Sequence, residues 1–321
     1  PDWCPPNLQI GHFRTGVDGR ESLVLLSASP WGTHHENDSL NLYYWKNGTA
    51  LLSDLGYLWD HPQKPNNIRA LAHNTVLLDE QNQIKKGRGG EILLFKTFPK
   101  VKVMEMASTA YSQALVYKRT TILVDHGNGQ SYVVDFFRVQ GGEIQDYVFH
   151  ASTNDIEILD IAPNSGPELS LYDFSDIRTA KGNRTWKSQW KSETGVYTKA
   201  WCLGQEGEEM FVGTGWGQRD WKNADIGATI PYFVRRKRGN ELQTFVSVFE
   251  GFEKGTSIVK NVELIDKQGL VRVETTLGVD YIMSLHNKGE VSIESDKIKL
   301  SGHFAAASVQ NGGLVWKETL P

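Results

Sequence analysis

Four of the nine histidines in this chain, His34, His35, His61 and His73, fall between Trp31 and Asp79, interleaved with Asp38, Asp54, Asp60 and Asp79. Neutral imidazole nitrogens and carboxylate oxygens are the donors that suit zinc and related divalent ions. The same groups move protons near neutral pH. Chemistry is therefore expected in the first quarter of the chain. His34-His35 precedes one strand pattern, Asp54 closes the next, and His73 enters a third. Hairpin-linked strands bring their same-side ends together, and the 54 − 35 = 19 positions from His35 to Asp54 suit an out-and-back hairpin. His35, Asp54 and His73 thus form a candidate three-ligand site with a position left for water. The spacing fits equally well with histidines that cap strand ends through backbone hydrogen bonds. Asp54-Leu55-Gly56 also fits a carboxylate-assisted turn, and His61-Pro62 reads as a structural loop.

The elements that must position these groups read as strands. Residues 40–45 alternate and are rich in aromatics, and Asn47-Gly48 follows as a hairpin turn into 50–52. Further strand patterns occur at 75–78, 92–95, 100–106, 114–118, 121–125, 132–137, 147–151, 156–161, 198–203, 209–214, 232–236 and 243–249. His126-Gly127-Asn128-Gly129 and Lys237-Arg238-Gly239-Asn240 read as tight turns. Residues 33–37 read as a loop. No window carries a sustained helical apolar period. Many short strands with Gly/Asn turns predict an all-β, large double-layer antiparallel sandwich. A boundary is expected near 251–254, dividing a sandwich at 1–250 from a smaller β unit at 251–321. In the latter, short polar strands are expected at 255–266, 270–276, 280–284, 291–294, 297–301 and 304–310.

Composition narrows the class. The chain has 321 residues, 39% hydrophobic, with 34 Lys+Arg against 38 Asp+Glu for a formal charge of −4. That balance lacks the basic footprint of a nucleic-acid binder. No apolar run reaches the roughly 18 residues of a membrane-spanning helix. The two cysteines, Cys4 and Cys202, are too few for a disulfide scaffold and are expected to be free. The chain opens on Pro1, without an initiator Met or a signal-like segment, which suggests a processed or excised part of a longer protein.

Several blocks resemble the β-sandwich portion of the heparinase II/III-like polysaccharide lyases. They are Gly32-Thr33-His34-His35-Glu36-Asn37-Asp38, the strand at 40–44, Leu51-Leu52-Ser53-Asp54-Leu55-Gly56 and Ala72-His73-Asn74-Thr75-Val76-Leu77-Leu78-Asp79. Weaker likeness continues through 132–150 and 232–250. The resemblance implies a double-layer sandwich and a divalent metal, usually zinc and structural in role, on His35, Asp54 and His73. It implies that His34 faces substrate as the catalytic residue. One departure stands out: the family separates its two histidines by one residue, whereas His34 and His35 are adjacent. Neighbours on a strand point to opposite sides, so either a bulge re-aims one, or their roles are exchanged, or one role is lost.

The reaction so implied is β-elimination beside a uronic acid in an acidic polysaccharide of glycosaminoglycan or alginate type. Its demands are neutralisation of the uronate, removal of the C5 proton and protonation of the departing O4. Tyr57 and Trp59 are candidates to stack on sugar rings, as are Tyr43 and Tyr44, which also suit core packing. Arg69 is the candidate for sulfate or carboxylate, with Lys64, Lys85, Lys86 and Arg88 as further cations. In this family a helical toroid domain precedes the sandwich and supplies the catalytic Tyr. The expected partners are therefore that domain and the polysaccharide, in the periplasm or outside the cell. A non-catalytic carbohydrate-binding module and a uronyl C5-epimerase are the alternatives.

Overall fold

In a computed structural model, residues 1–321 are described except Asp18, Thr33, His34, Ser53, Lys86, Arg88 and 166–169. Among the described residues the protein is all-β, with four antiparallel sheets and almost no helix. A four-stranded sheet runs in sequence order through Ile10–Thr15, Ser22–Ser27, Asn41–Lys46 and Thr49–Leu52. A six-stranded sheet is ordered Asn164–Ser165, Ser175–Lys181, Glu209–Trp216, Thr229–Arg238, Ile144–His150, Val76–Leu78. An eight-stranded sheet is ordered Ile156–Leu159, Thr185–Lys191, Tyr197–Leu203, Gln243–Phe252, Gln130–Gln140, Val116–Gly127, Val101–Ser108, Gly90–Thr97. The fourth sheet is a meander of Val259–Asp266, Leu270–Thr275, Val279–Ile293, Ile298–Gln310 and Gly313–Leu320.

The eight-stranded sheet is buried on both faces, and the two-residue period of its strands explains why. Leu123, Val133 and Phe137 point into a core shared with Phe13, Leu42 and Tyr44 of the four-stranded sheet and with Tyr147, Phe149 and Phe233 of the six-stranded one. Their sequence neighbours Ile122, Val124, Val134 and Phe136 point the other way, against Val262, Val271, Ile282 and Phe304 of the C-terminal sheet. The outer face of the six-stranded sheet, with Val148, Tyr232 and Val234, is covered by Leu55, Ala70, Leu71 and Ala72. The segment 55–72 therefore lies clamped on the sandwich, and the residues at its two ends, Asp54 and His73, are held by that packing.

The structure differs from the sequence reading in several elements. The patterns at 114–118 and 121–125 merge in one strand, Val116–Gly127, which pairs with Gln130–Gln140 and shifts register between Asp125 and Gly127. In the C-terminal sheet two strands are longer than the sequence pattern suggests. Patterns at 280–284 and 291–294 merge in Val279–Ile293, and those at 297–301 and 304–310 merge in Ile298–Gln310. The polar stretch between them reads as loop in sequence but crosses a bulge, where the register shifts between Ser284 and Gly289. A short helix, Lys64–Ile68, starts with a proline in its first turn, where a missing N–H costs nothing. Cys4 and Cys202 are free thiols.

Candidate metal centre

Two strand ends and one loop converge at the rim of the four-stranded sheet. Asp54 follows the strand Thr49–Leu52, and His73 lies between the short 3-10 turn Ala70–Ala72 and the strand Val76–Leu78. Glu36 and Asp38 come from the loop that enters Asn41–Lys46. The His73 imidazole is completely buried, and its Nδ1 hydrogen-bonds Asp54 Oδ2 at 2.9 Å. Its Nε2 lies 3.6 Å from Glu36 Oε2 and has no hydrogen-bond partner among the described residues. Asp54 is held from several sides. Its Oδ2 accepts from Tyr43 Oη at 3.2 Å and from Asn41 Nδ2 at 3.3 Å, and its Oδ1 accepts the Gly56 N–H at 2.6 Å.

The charges at this point are unbalanced. Burial and the neighbouring Asp54 carboxylate push Glu36 up to about 7. Burial alone would raise Asp54, but the His73 charge and hydrogen bond outweigh it and bring it down to about 2. Burial alone would lower His73, yet Asp54, Asp38 and Glu36 together lift it to about 9. One imidazole thus faces three carboxylates in a half-dry site. Glu36, Asp54 and His73 each offer one ligand atom, all within 4.8 Å of one another. Two carboxylate oxygens, one imidazole nitrogen with no other partner and a surplus of negative charge are a donor set that fits a divalent cation. These three residues could hold a metal ion.

Of the residues singled out in the sequence, Asp54 and His73 are brought together. His35 lies beside them and is engaged elsewhere: Nε2 hydrogen-bonds Ser29 Oγ at 2.8 Å, Nδ1 hydrogen-bonds the Glu36 carbonyl at 2.5 Å, and the ring packs edge-on against Trp31. Glu36, not singled out in the sequence, occupies the third corner. His34 lies outside the described residues. Tyr57 and Trp59 line a cavity of about 500 Å³ together with Ser29, His35, Glu36 and Asp54. Trp59 is 64% exposed and sits at φ +46°, a left-handed conformation unusual for a bulky residue. Tyr57 carries the Lys64 ammonium over its ring at 4.0 Å. Arg69 is not among the residues lining this cavity, and its guanidinium pairs with Asp173 at 2.8 Å. His61 hydrogen-bonds Asn223 Oδ1 at 2.8 Å.

The loop before His73 is fixed by His150. His150 is 1% exposed, its Nε2 donates to the Ala72 carbonyl at 2.8 Å, and its own N–H donates to Asn74 Oδ1 at 3.2 Å. Burial pushes this imidazole down to about 3, so the folded protein refuses a proton that the unfolded chain accepts near pH 6.5. Stability is therefore lost as pH falls from 6.5 towards 3, at about 1.4 kcal/mol per pH unit for this group and on the order of 5 kcal/mol over the window. Urea unfolding at a series of pH values checks this. His150→Gln keeps a donor for the Ala72 carbonyl but does not titrate, and its stability is expected to decline less steeply across that window than that of the unchanged protein. Parallel curves would show that His150 is not a source of the acid sensitivity.

A family model described as heparinase II/III-like, C-terminal, matches residues 6–240. No curated protein sequence matches the chain. Among solved structures, a heparan sulfate lyase from Pedobacter heparinus is similar at 16% identity and TM-score 0.62, over 85% of this chain and 40% of its own. A heparinase III gene product is similar at 17% identity and TM-score 0.66, over 99% and 42%. Another heparinase III is similar at 12% identity and TM-score 0.60, over 100% and 43%. The chain thus spans about two fifths of the length of these solved relatives, and at such identities the likeness establishes the fold.

Proposed function

Since this chain belongs to the heparinase II/III-like family through that family's C-terminal region, we propose that it is the β-sandwich part of a polysaccharide lyase. Its substrate on this reading is a uronic-acid-containing polysaccharide of glycosaminoglycan or alginate type, opened by β-elimination. The supporting observation is the cavity in which Glu36 and Asp54, the two carboxylates that cluster with His73, meet the side chains of Tyr57 and Trp59. In the proposed reaction a base removes the C5 proton, the C4–O bond breaks, and a C4–C5 double bond forms. The departing O4 takes a proton from an acid. His34 is the proposed acid or base in this chain. Tyr57 and Trp59 would offer ring faces to the sugars. Arg69 would reach an anionic group only in competition with Asp173.

Glu36, Asp54 and His73 would hold the metal, with zinc the proposed ion. When bound, the cation supplies positive charge that offsets the gathered carboxylates and fixes the loop bearing His34 and His35. The chain's own residues define the rest. Asp54 orients the His73 ring through Nδ1, and Tyr43 and Asn41 hold Asp54 in turn. The remaining catalytic groups, including a Tyr, would come from a helical toroid domain of the same enzyme. A periplasmic or secreted location follows from such a substrate.

The test uses the intact enzyme that carries this chain, incubated with heparan sulfate, chondroitin sulfate and alginate. Unsaturated uronide absorbing in the ultraviolet is expected with one of them. His34→Ala is expected to lower that rate by about 100-fold or more. Unchanged turnover in that variant would remove His34 from the mechanism. Exchange of the C5 hydrogen with solvent, without unsaturated product, would instead identify an epimerase. Binding without either reaction would identify a carbohydrate-binding module.

A further inference from the structure

A second polar cluster lies away from the metal centre, where the eight-stranded sheet meets the C-terminal sheet. Glu105, 2% exposed, receives three groups: Lys118 Nζ at 3.3 Å and His303 Nε2 at 3.1 Å on Oε1, and Thr120 Oγ1 on Oε2. Arg138, fully buried next to it, hydrogen-bonds Thr120 Oγ1 at 3.2 Å and the hydroxyl and carbonyl oxygens of Ser284. It makes no ion pair with a carboxylate among the described residues. Two cations therefore face one carboxylate, a net of 2 − 1 = +1 from these three groups. The bulge at 285–288 places His286 beside this cluster, and its Nδ1 has no hydrogen-bond partner among the described residues. Burial and the charges of Lys118 and Arg138 hold His286 below the ordinary imidazole value, as surplus positive charge requires.

The cluster opens into a cavity of about 610 Å³. Lys118 and His286 line it together with Ser112, Tyr111, Tyr117 and Leu115, and Leu115 is 80% exposed. The contrast with the metal centre is one of sign. There three carboxylates repel an anion in the absence of a cation. Here the fixed charge is positive, and aromatic and aliphatic walls adjoin it.

We propose that this cavity is a second binding site, taking the carboxylate or sulfate of an acidic sugar on Lys118 and His286, with the sugar body against Tyr111 and Leu115. The choice of an acidic sugar rests on the lyase reading, whereas the anion site itself rests on charge and shape, and its test reads binding rather than turnover. Sodium glucuronate, glucose 6-sulfate and neutral glucose are titrated into the full chain while the ring signals of His286 and His303 are followed by NMR. Both anions, or one of them, are expected to shift these signals, and the one that does so identifies whether carboxylate or sulfate is read. Glucose is expected to leave them in place. Lys118→Met is expected to weaken the anion about tenfold or more by removing a charge-assisted contact. Leu115→Asp alters an exposed position, spares the fold and places a repelling charge at the mouth, so it is expected to weaken binding to a similar degree. Absence of any shift, or undiminished affinity in Leu115→Asp, would overturn the proposal. So would shifts that equal amounts of glucose reproduce.

Discussion

Asp135→Ala is expected to destabilise the protein by about 3–5 kcal/mol, the usual consequence of stripping one partner from a buried ion pair. Arg119 and Asp135 are both fully buried, joined by two hydrogen bonds of 2.8 Å. Tyr147 Oη closes the group by donating to Asp135 Oδ2 at 2.7 Å. Without the carboxylate, the guanidinium stays in the core with its charge unmatched. The effect would spread to the metal centre, because Arg119 also donates to the Leu40 carbonyl at 2.7 Å and to the carbonyl of Asn74, next to His73. Urea unfolding measures the loss. Arg119→Met combined with Asp135→Leu removes both charges and is expected to recover much of it. A loss below about 1 kcal/mol in the single variant would show that the pair is not what holds these strands to the loop.

Zinc is expected to raise the stability of the protein by about 2.7 kcal/mol at a free concentration 100-fold above its dissociation constant. Asp54→Asn, His73→Ala and Glu36→Gln should each abolish that gain, whereas His35→Ala should retain it, since both His35 nitrogens are engaged elsewhere. In the absence of zinc, Glu36→Gln is expected to be neutral or stabilising, because it removes a carboxylate that burial and Asp54 disfavour. Thermal unfolding with and without zinc separates these cases. A gain that survives Glu36→Gln and disappears in His35→Ala would put the ligand on His35.

How much of this was legible in the sequence depends on local pattern. The strand Asn41–Lys46 and its Asn47-Gly48 turn were readable from alternation and turn chemistry, as were the hairpins at 126–129 and 237–240. Ser22–Ser27 escaped, because its continuous apolar run lacks the alternation of a half-exposed strand. Thr185–Lys191 escaped for the opposite reason. Trp186, Ser188 and Trp190 turn inward at period two, but lysines and Gln189 make the stretch look like loop. Ser175–Lys181 is a largely exposed strand with almost no apolar signal.

The site divides in the same way. Asp54 and His73 each adjoin a strand, so hairpin geometry brought them together on paper. Glu36 lies in a loop without a period, and nothing local marks it as a ligand. The nearest signal was its place two residues after His34 and two before Asp38, since alternate residues of an extended segment share a side while His35 takes the other. Arg138 and His286 are distant in sequence and meet only through packing between two sheets, which no local pattern reveals.

The central claim is that Glu36, Asp54 and His73 surround one cation. Diffraction at the zinc absorption edge, from crystals of this chain grown with zinc, tests it most directly. The account predicts one anomalous peak about 2.0–2.2 Å from a carboxylate oxygen of Glu36, one of Asp54 and an imidazole nitrogen of His73. A peak bound by other residues, or no peak while His73 and Glu36 remain in direct contact, would contradict it.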